Sequence, residues 1–574
     1  MRPLALLLAL GCHGGPLVDD TGAASRCDPD ATWTTVGEPY VRTWCTSCHS
    51  AALPLEQRYG APVGLDLDTL AGVRAAAGAA EAAVRDERMP PAGGPDPADA
   101  LRFADWLACG AEGTEPPSAP GCEAATPRAG DVEIATAADA AALCSAPVSL
   151  QGGLWVHADA DVGCLCDVGG DLLVSGGAEV ALPALRAVGG DLTVTGEVGR
   201  VSLPALAEVG GQALITGPVA AVDLAALDHA GGLQVVDAGG LGGLGTERLR
   251  TVDGDLIVLR APQLREVDLS RLLTVGGDLR VEQAGVVALL GQAYALQTVA
   301  GDLVLADLPA WEGFYGFASL QEVGGDLRIE RAPSLDRVRG FTDLQRVGGT
   351  LSIAHDAGLG LLDGFDNLQE VVGDLVVSDN PSLFGESAFA RLERVGGTLD
   401  ITDDPVLGTL SGLLAPREVG ALRLQGNGAL TALSGWASLQ TAGAVHLVDL
   451  PRVTTIDAFP ALRSLGDLEV RDVPLLTALT VGHTELASLG GGYTVQGVGL
   501  AALGVPGSVS DVAGDVLVAE NPALADVAGL GALAHVGGDL VVRDNPVLVG
   551  AEAALAGVSV DGTTDIRANG STAR

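Results

Sequence analysis

Along most of the chain the apolar positions keep a fixed beat. "VGGDLLV" at Val168, "VGGDLTV" at Val188, "VGGDLRV" at Val275, "VGGDLRI" at Val323 and "VGGDLVV" at Val536 are the clearest copies, and weaker ones fill the gaps every 20–25 residues. Each copy alternates apolar and polar residues, which predicts one short strand entered through a Gly-Gly turn. Such a unit cannot cover its own apolar face, so repetition at this period predicts a solenoid of stacked units. Strands stacked about 4.8 Å apart give a parallel sheet roughly 80 Å long.

A second register runs in phase with the first. Phe317, Phe341, Phe365 and Phe389 are spaced by 24, each followed three residues later by Leu320, Leu344, Leu368 or Leu392. Trp436 and Phe459 continue the column with Leu439 and Leu462. Aromatics in step with buried leucines predict a stacked spine inside the solenoid rather than a ligand-binding stripe. Trp311, Phe314 and Tyr315 fall outside that register, which leaves an exposed contact patch or an extra local core. The aspartate of Gly-Gly-Asp recurs as Asp171, Asp191, Asp255, Asp278, Asp302, Asp326, Asp374, Asp467, Asp515 and Asp539. Regular carboxylates could suit a calcium ladder. Thr350 and Thr398 occupy the same place, however, which favours a residue that accepts backbone N–H bonds in a turn.

The first hundred or so residues lack this beat. There "DATWTTVGEPYVRTWC" and "DPADALRFADWLACG", the latter with Asp99 near its start and Leu101, Trp106 and Leu107 at apolar spacing, predict helices. Between them Cys45-Thr46-Ser47-Cys48-His49 has the spacing of covalent c-type haem attachment. Both thiols would add to the haem vinyl groups, with the adjacent histidine beneath the iron as proximal ligand. A redox dithiol would want a thioredoxin-like βαβ context. Zinc would want two more ligands nearby, and no other histidine lies between His13 and His157. Met89, in "RDERMPPAGGPDP", is the one methionine besides the first residue. A thioether is the expected second axial ligand of an electron-transfer haem, and the two prolines stiffen its loop. Trp33, Trp44 and Trp106, three of the six tryptophans, fall in this short stretch and suit a water-excluding shell.

Charge narrows the partners. Across 574 residues there are 73 acids against 32 basic residues, a net −41, and no lysine. Nothing here would neutralise nucleic-acid phosphates or form a basic patch for anionic lipid. The bland consequence is a soluble, self-repelling surface. The N-terminal "MRPLALLLALGCHGG" reads as an export signal, too short to span a bilayer. Of the nine cysteines, Cys12, Cys45 and Cys48 have other expected uses, leaving six for disulfides outside the cytosol. Cys27 and Cys109 bracket the haem segment and form its natural clip. Cys122, Cys144, Cys164 and Cys166 cluster where the array begins, and three connectivities stay open. No nucleophile–base–acid set can be assembled from the scattered histidines, so a carrier or binding protein is expected rather than a catalyst.

Three resemblances follow. Ala9-Leu10-Gly11-Cys12 resembles the lipobox of bacterial lipoproteins, which implies that Cys12 is lipidated and becomes the mature N-terminus; an ordinary signal peptide cleaved a little later is the alternative. Cys45, Cys48, His49, "RYGAPVGLDLDT", Met89-Pro90-Pro91 and "WLACG" together resemble the class I-like monohaem cytochrome c domain of exported bacterial proteins. That resemblance implies one haem c, thioethers at Cys45 and Cys48, His49 proximal and Met89 distal. The lysine ring usual around a cytochrome's haem edge cannot exist here. Residues 27–110 carry 12 acids against 6 arginines, so a redox partner should offer a positive or neutral face. The array resembles leucine-rich-repeat and receptor L-domain-like solenoids, as in "LERVGGTLDITDDPVLGTL" and the "DNPSL", "ENPAL" and "DNPVL" turns. That family binds proteins and other ligands through its faces, with the region from Cys122 to Cys144 as its capping turn.

The expected organisation is therefore multidomain: an all-α cytochrome c domain followed by a long parallel β-solenoid. A signal peptide at residues 1–12 and a tether at 13–26 precede the haem domain at 27–110. A proline-rich linker at 111–121 leads to the solenoid at 122–560, with a tail at 561–574. The expected activity is electron transfer by an exported, lipid-anchored cytochrome at the periplasm or cell surface, most simply on the outer membrane. The rival expectation is a cell-surface recognition or adhesion solenoid in which the haem module is an accessory or redox sensor.

Overall fold

The computed structural model describes residues 31, 33–37, 40–41, 45, 49, 58, 62, 65–67, 69–86, 97–111, 122, and 125–570 except 266, 286–292, 312–315, 411 and 413–415. The chain divides into two compact units, Met1–Ser118 and Ala119–Arg574. Among the described residues no helix is long and apolar enough to cross a membrane.

The second unit is a long parallel β-solenoid lined with leucine. Strands of successive coils pair in register: Leu172 with Leu192, Leu279 with Leu303, Leu351 with Leu375, and Val516 with Leu540. The alternation in "LRVE" or "LVVS" sends positions one and three inward and the others out, so Leu279 and Val281 are buried beside half-exposed Arg280 and Glu282. Short strands form smaller parallel strips elsewhere around the coil, such as Val198–Ser202 on Gly177–Ala181 and Thr455–Ala458 on Ala432–Gly435. One continuous apolar cluster runs from Val132 to Leu555. Its nearest-neighbour contacts are what hold a repeat array together.

The turn before each strand explains the Gly-Gly-Asp signature. Asp278 Oδ1 accepts the N–H of Asp302 at 2.8 Å, and Asp302 Oδ1 accepts the N–H of Asp326 at 2.9 Å. The carboxyl therefore bonds the next coil rather than its own turn. A Cβ on Gly301 would collide with Asp278 Oδ1, so the glycine and the aspartate of adjacent coils require each other. The N–H of Thr563 holds the Asp539 carboxyl below its ordinary range by the same contact.

The expected aromatic spine is present. Ring centroids of Phe317, Phe341, Phe365 and Phe389 lie 5.5, 4.9 and 5.3 Å apart in stacked pairs, and Trp436 meets Phe459 edge-on at 5.8 Å. All six sit at positive φ, between 53° and 65°. A bulky side chain seldom adopts that region, and here the stack and surrounding leucines hold it there. Trp311 is fully buried, which resolves its alternatives in favour of local core; Phe314 and Tyr315 lie outside the described residues.

The ends of the solenoid are built differently from its middle. Before the first clear repeat, strands Thr126–Arg128 and Val132–Ile134 and a helix Ala137–Leu143 already belong to the stack. Cys122 is bonded to Cys166, and Cys144 to Cys164, which selects one of the three connectivities. At the far end residues 561–574 were expected as a tail, yet Thr564–Arg567 pairs with Leu540–Arg543 as a further coil. Thr564 replaces the usual leucine there, so the apolar beat is lost while the pairing persists.

Among the described residues of the first unit, a wide helical turn, Trp33–Gly37, and the helices Leu70–Arg85 and Pro97–Ala108 contribute to a small apolar cluster. Thr69 caps the alanine-rich helix by accepting the Gly72 N–H at 3.1 Å. Leu70, Val73, Ala76 and Val84 form its buried face. On the other helix Phe103, Trp106 and Leu107 are buried, while Leu101, expected on the apolar face, is 53% exposed. Two residues is more than half a helical turn, so Leu101 and Phe103 cannot share a face.

Candidate functional site

The haem-motif residues that are described sit on helical geometry. The Cys45 N–H donates to Val41 O at 2.8 Å and the His49 N–H to Cys45 O at 2.9 Å. Two successive four-residue bonds place Cys45 and His49 one above the other on the same face. Cys45 is half-buried against the apolar cluster.

The imidazole is oriented by backbone. His49 Nδ1 lies 3.2 Å from Leu65 O, and the Leu67 N–H returns to His49 O at 2.7 Å. A carbonyl can only accept, so Nδ1 carries the proton and Nε2 is the nitrogen left to ligate a metal. The segment that supplies this carbonyl is fixed by Arg58, only 3% exposed. Its Nη2 donates to Pro62 O at 2.9 Å, Leu65 O at 3.3 Å and Asp66 Oδ1 at 2.7 Å. The "RYGAPVGLDLDT" stretch thus forms a brace under the histidine.

Aromatic rings close the unit. Tyr40 stacks on Phe103 with centroids 3.9 Å apart, and Trp106 packs beside both Phe103 and Trp33 at 5.7 and 6.1 Å. The indole of Trp106 lies directly over the Gly37 backbone, where any Cβ would collide with it. The donor set fits a covalent haem: a thiol and an imidazole on one helical face, the imidazole in the correct tautomer, beside a dry aromatic core. Cys48 and Met89, the other expected contacts, lie outside the described residues, as do Cys12 and Cys27. Cys109 is disulfide-bonded.

Sequence reasoning passed over a polar cleft on the exposed face of the main sheet. Asp374, Val376, Thr398, Asp400, Arg423 and His446 line a cavity of about 300 Å³. Arg423 Nη1 is 3.6 Å from Asp400 Oδ2, and His446 Nδ1 is 2.9 Å from Glu469 Oε2. Burial pushes the Asp400 carboxyl up against the pull of Arg423, and among the described residues its Oδ1 has no hydrogen-bond partner. The signal was the middle residue of each strand, which is ionisable in four successive coils after Val376: Asp400, Arg423, His446 and Glu469.

Neither protein-family models nor curated proteins match this sequence. Among solved structures, one titled as the crystal structure of a TLR13–ssRNA13 complex aligns over 72% of this chain and 72% of its own, at 12% identity and a TM-score of 0.24. So loose a superposition carries no argument about this chain. The solenoid rests instead on its own strand register, which is continuous from Leu172 to Arg567.

Proposed function

We propose that this protein is an exported monohaem c-type cytochrome, lipid-anchored through Cys12, that transfers electrons and carries a long leucine-rich-repeat, L-domain-like solenoid for display or partner docking. The observation that carries the reading is the His49 ring, turned by Leu65 O so that Nε2 faces away from the backbone bond on the same helical face as Cys45. Cys45 and Cys48 would hold the haem, with His49 and Met89 as its axial ligands. The haem would supply the one-electron couple. The chain's own residues orient the imidazole, exclude water through Tyr40, Phe103 and Trp106, and present an acidic surface to a positive or neutral redox partner. Haem staining of the exported, purified protein after denaturing electrophoresis tests this, since only a covalent haem survives the gel. A colourless band would overturn it.

The sheet-face cleft at Asp400, Arg423 and His446 favours a second reading, a periplasmic or cell-surface recognition solenoid with the haem module as accessory. Substituting Asp400 and Arg423 by alanine tests the cleft: on this reading partner docking through the solenoid is lost while redox behaviour stays unchanged, and docking that persists would overturn it.

A further inference from the structure

A second polar ladder runs inside the solenoid, just beyond the strands. Asp356, Asn380, Asp404 and Asn427 occupy equivalent places in four successive coils and are at most 1% exposed. Each accepts a backbone N–H through its Oδ1: Ala332 donates to Asp356 at 2.7 Å, Asp356 to Asn380 at 3.1 Å, Asn380 to Asp404 at 2.8 Å and Asp404 to Asn427 at 3.2 Å. Ala332 stands in this place on the preceding coil and Leu450 on the following one, so this run ends there, and a second run of asparagines resumes at Asn521, Asn545 and Asn569.

The asparagines also donate. Asn380 Nδ2 bonds Ile353 O at 3.1 Å and Asn427 Nδ2 bonds Ile401 O at 2.8 Å, in each case on the preceding coil. Asn521, Asn545 and Asn569 make the same contact to Val495, Val518 and Val542. By strand register the matching carbonyls for Asp356 and Asp404 are those of Ile329 and Val377. Where asparagine would present an N–H to them, aspartate presents Oδ2. Among the described residues both Oδ2 atoms are buried without a hydrogen-bond partner. An ionised carboxylate there would set its charge beside a carbonyl oxygen with no water to screen it. A neutral carboxylic acid would instead copy asparagine, with O–H in place of N–H.

We infer that Asp356 and Asp404 are kept as neutral acids whose Oδ2–H groups donate to Ile329 O and Val377 O, so that two protons complete the ladder and the middle of the solenoid loosens when they are removed. The surrounding groups agree. Burial pushes Asp356 up to about 7 against the Ala332 N–H; Glu330 raises it further and Arg331 opposes. That arginine is already paired with Asp307 and Glu330. Burial pushes Asp404 up to about 7 against the Asn380 backbone and side-chain amides, helped by Asp379 and Asp403. On the exposed flank His355 pairs with Asp379 rather than with either acid. The neighbouring ladder rungs, Asn380 and Asn427, are uncharged.

The sign follows from the raised folded-state values. The stabilisation is fully present below the ordinary aspartate range near pH 4 and is lost as pH rises to about 7, with no further loss above. Asparagine at both positions removes this dependence without disturbing shape, since it already occupies Asn380 and Asn427. In the full-length protein, infrared spectra at pH 5.5 should show a neutral-carboxyl C=O band that is weaker in the Asp356→Asn/Asp404→Asn variant. Glu386, also raised by burial to about 8, contributes equally to both and cancels in the difference. Between pH 4 and 7 the folding equilibrium of the variant should gain on the parent by up to tenfold per pH unit for each carboxyl. An identical carboxyl band in parent and variant, or parallel stability curves across that range, would overturn the inference.

Discussion

The two units of this protein store their information in opposite ways. In the first, the proposed site would hang on a handful of unrepeated side chains: Cys45, His49 and the Leu65 carbonyl that turns the imidazole. In the second, the framework is repeated: the Asp278–Asp302–Asp326 contacts and the phenylalanine stack recur from coil to coil. One substitution in the first unit should therefore be all or none, while one in the second should cost a local, additive amount. The first unit builds its small apolar cluster from few residues and packs aromatics into it. The solenoid reaches dryness by length, repeating leucines around a stacked aromatic spine.

The largest effect predicted on this contrast is at the attachment site. Cys48→Ser combined with Cys45→Ser should abolish covalent haem in the denatured, exported protein, while the far-ultraviolet spectrum of the β-rich unit stays unchanged. Loss of solenoid signal in the same variant would break the contrast. In the spine, Phe365→Ala should lower the stability of its own and adjacent coils by about 3–5 kcal/mol, read by denaturant unfolding. Its haem spectrum should not move.

At the first coils, Cys144→Ser opens a disulfide between residues 20 apart in sequence and should cost about 3 kcal/mol, raising proteolysis near Ala137–Leu143 and leaving coils beyond Phe317 protected. The smallest effect belongs to a single turn contact. Asp302→Thr replaces the carboxylate that accepts the Asp326 N–H with a weaker hydroxyl acceptor and should cost about 1 kcal/mol, because threonine already stands at Thr350 and Thr398. A cost near that of Phe365→Ala would mean the turn ladder, not the core, carries the stack.

Much of this was legible because repetition multiplies weak signals. A lone Val-Gly-Gly-Asp-Leu says little, but many copies fix the period, the strand and the inward leucines. The role of the aspartate was half legible. That it accepts N–H bonds follows from its exchange with threonine, but that the donor belongs to the next coil is a fact of stacking that local sequence does not hold. The alternation of Asp356, Asn380, Asp404 and Asn427 was visible as "DNPSL"-type turns, yet their burial was hidden by their polarity. The disulfide pairing could not be read, since Cys164 and Cys166 are equally near in sequence to either partner. The last coil escaped because Thr564 breaks the apolar beat that its neighbours keep. In the first unit the histidine was singled out by spacing alone. Its brace was not, because Arg58 and Leu65 meet only through the fold.

The central claim is that one haem c is bound covalently at Cys45 and Cys48 and ligated by His49 and Met89. A pyridine haemochrome titration of the purified, exported protein tests it most directly, followed by the optical spectrum of Met89→Ala. The account predicts a c-type haemochrome at one haem per chain. It also predicts a low-spin spectrum whose sulfur-to-iron band near ~695 nm and high potential are lost in the variant. A protein that matures without haem, or a Met89→Ala spectrum indistinguishable from the parent, would contradict it.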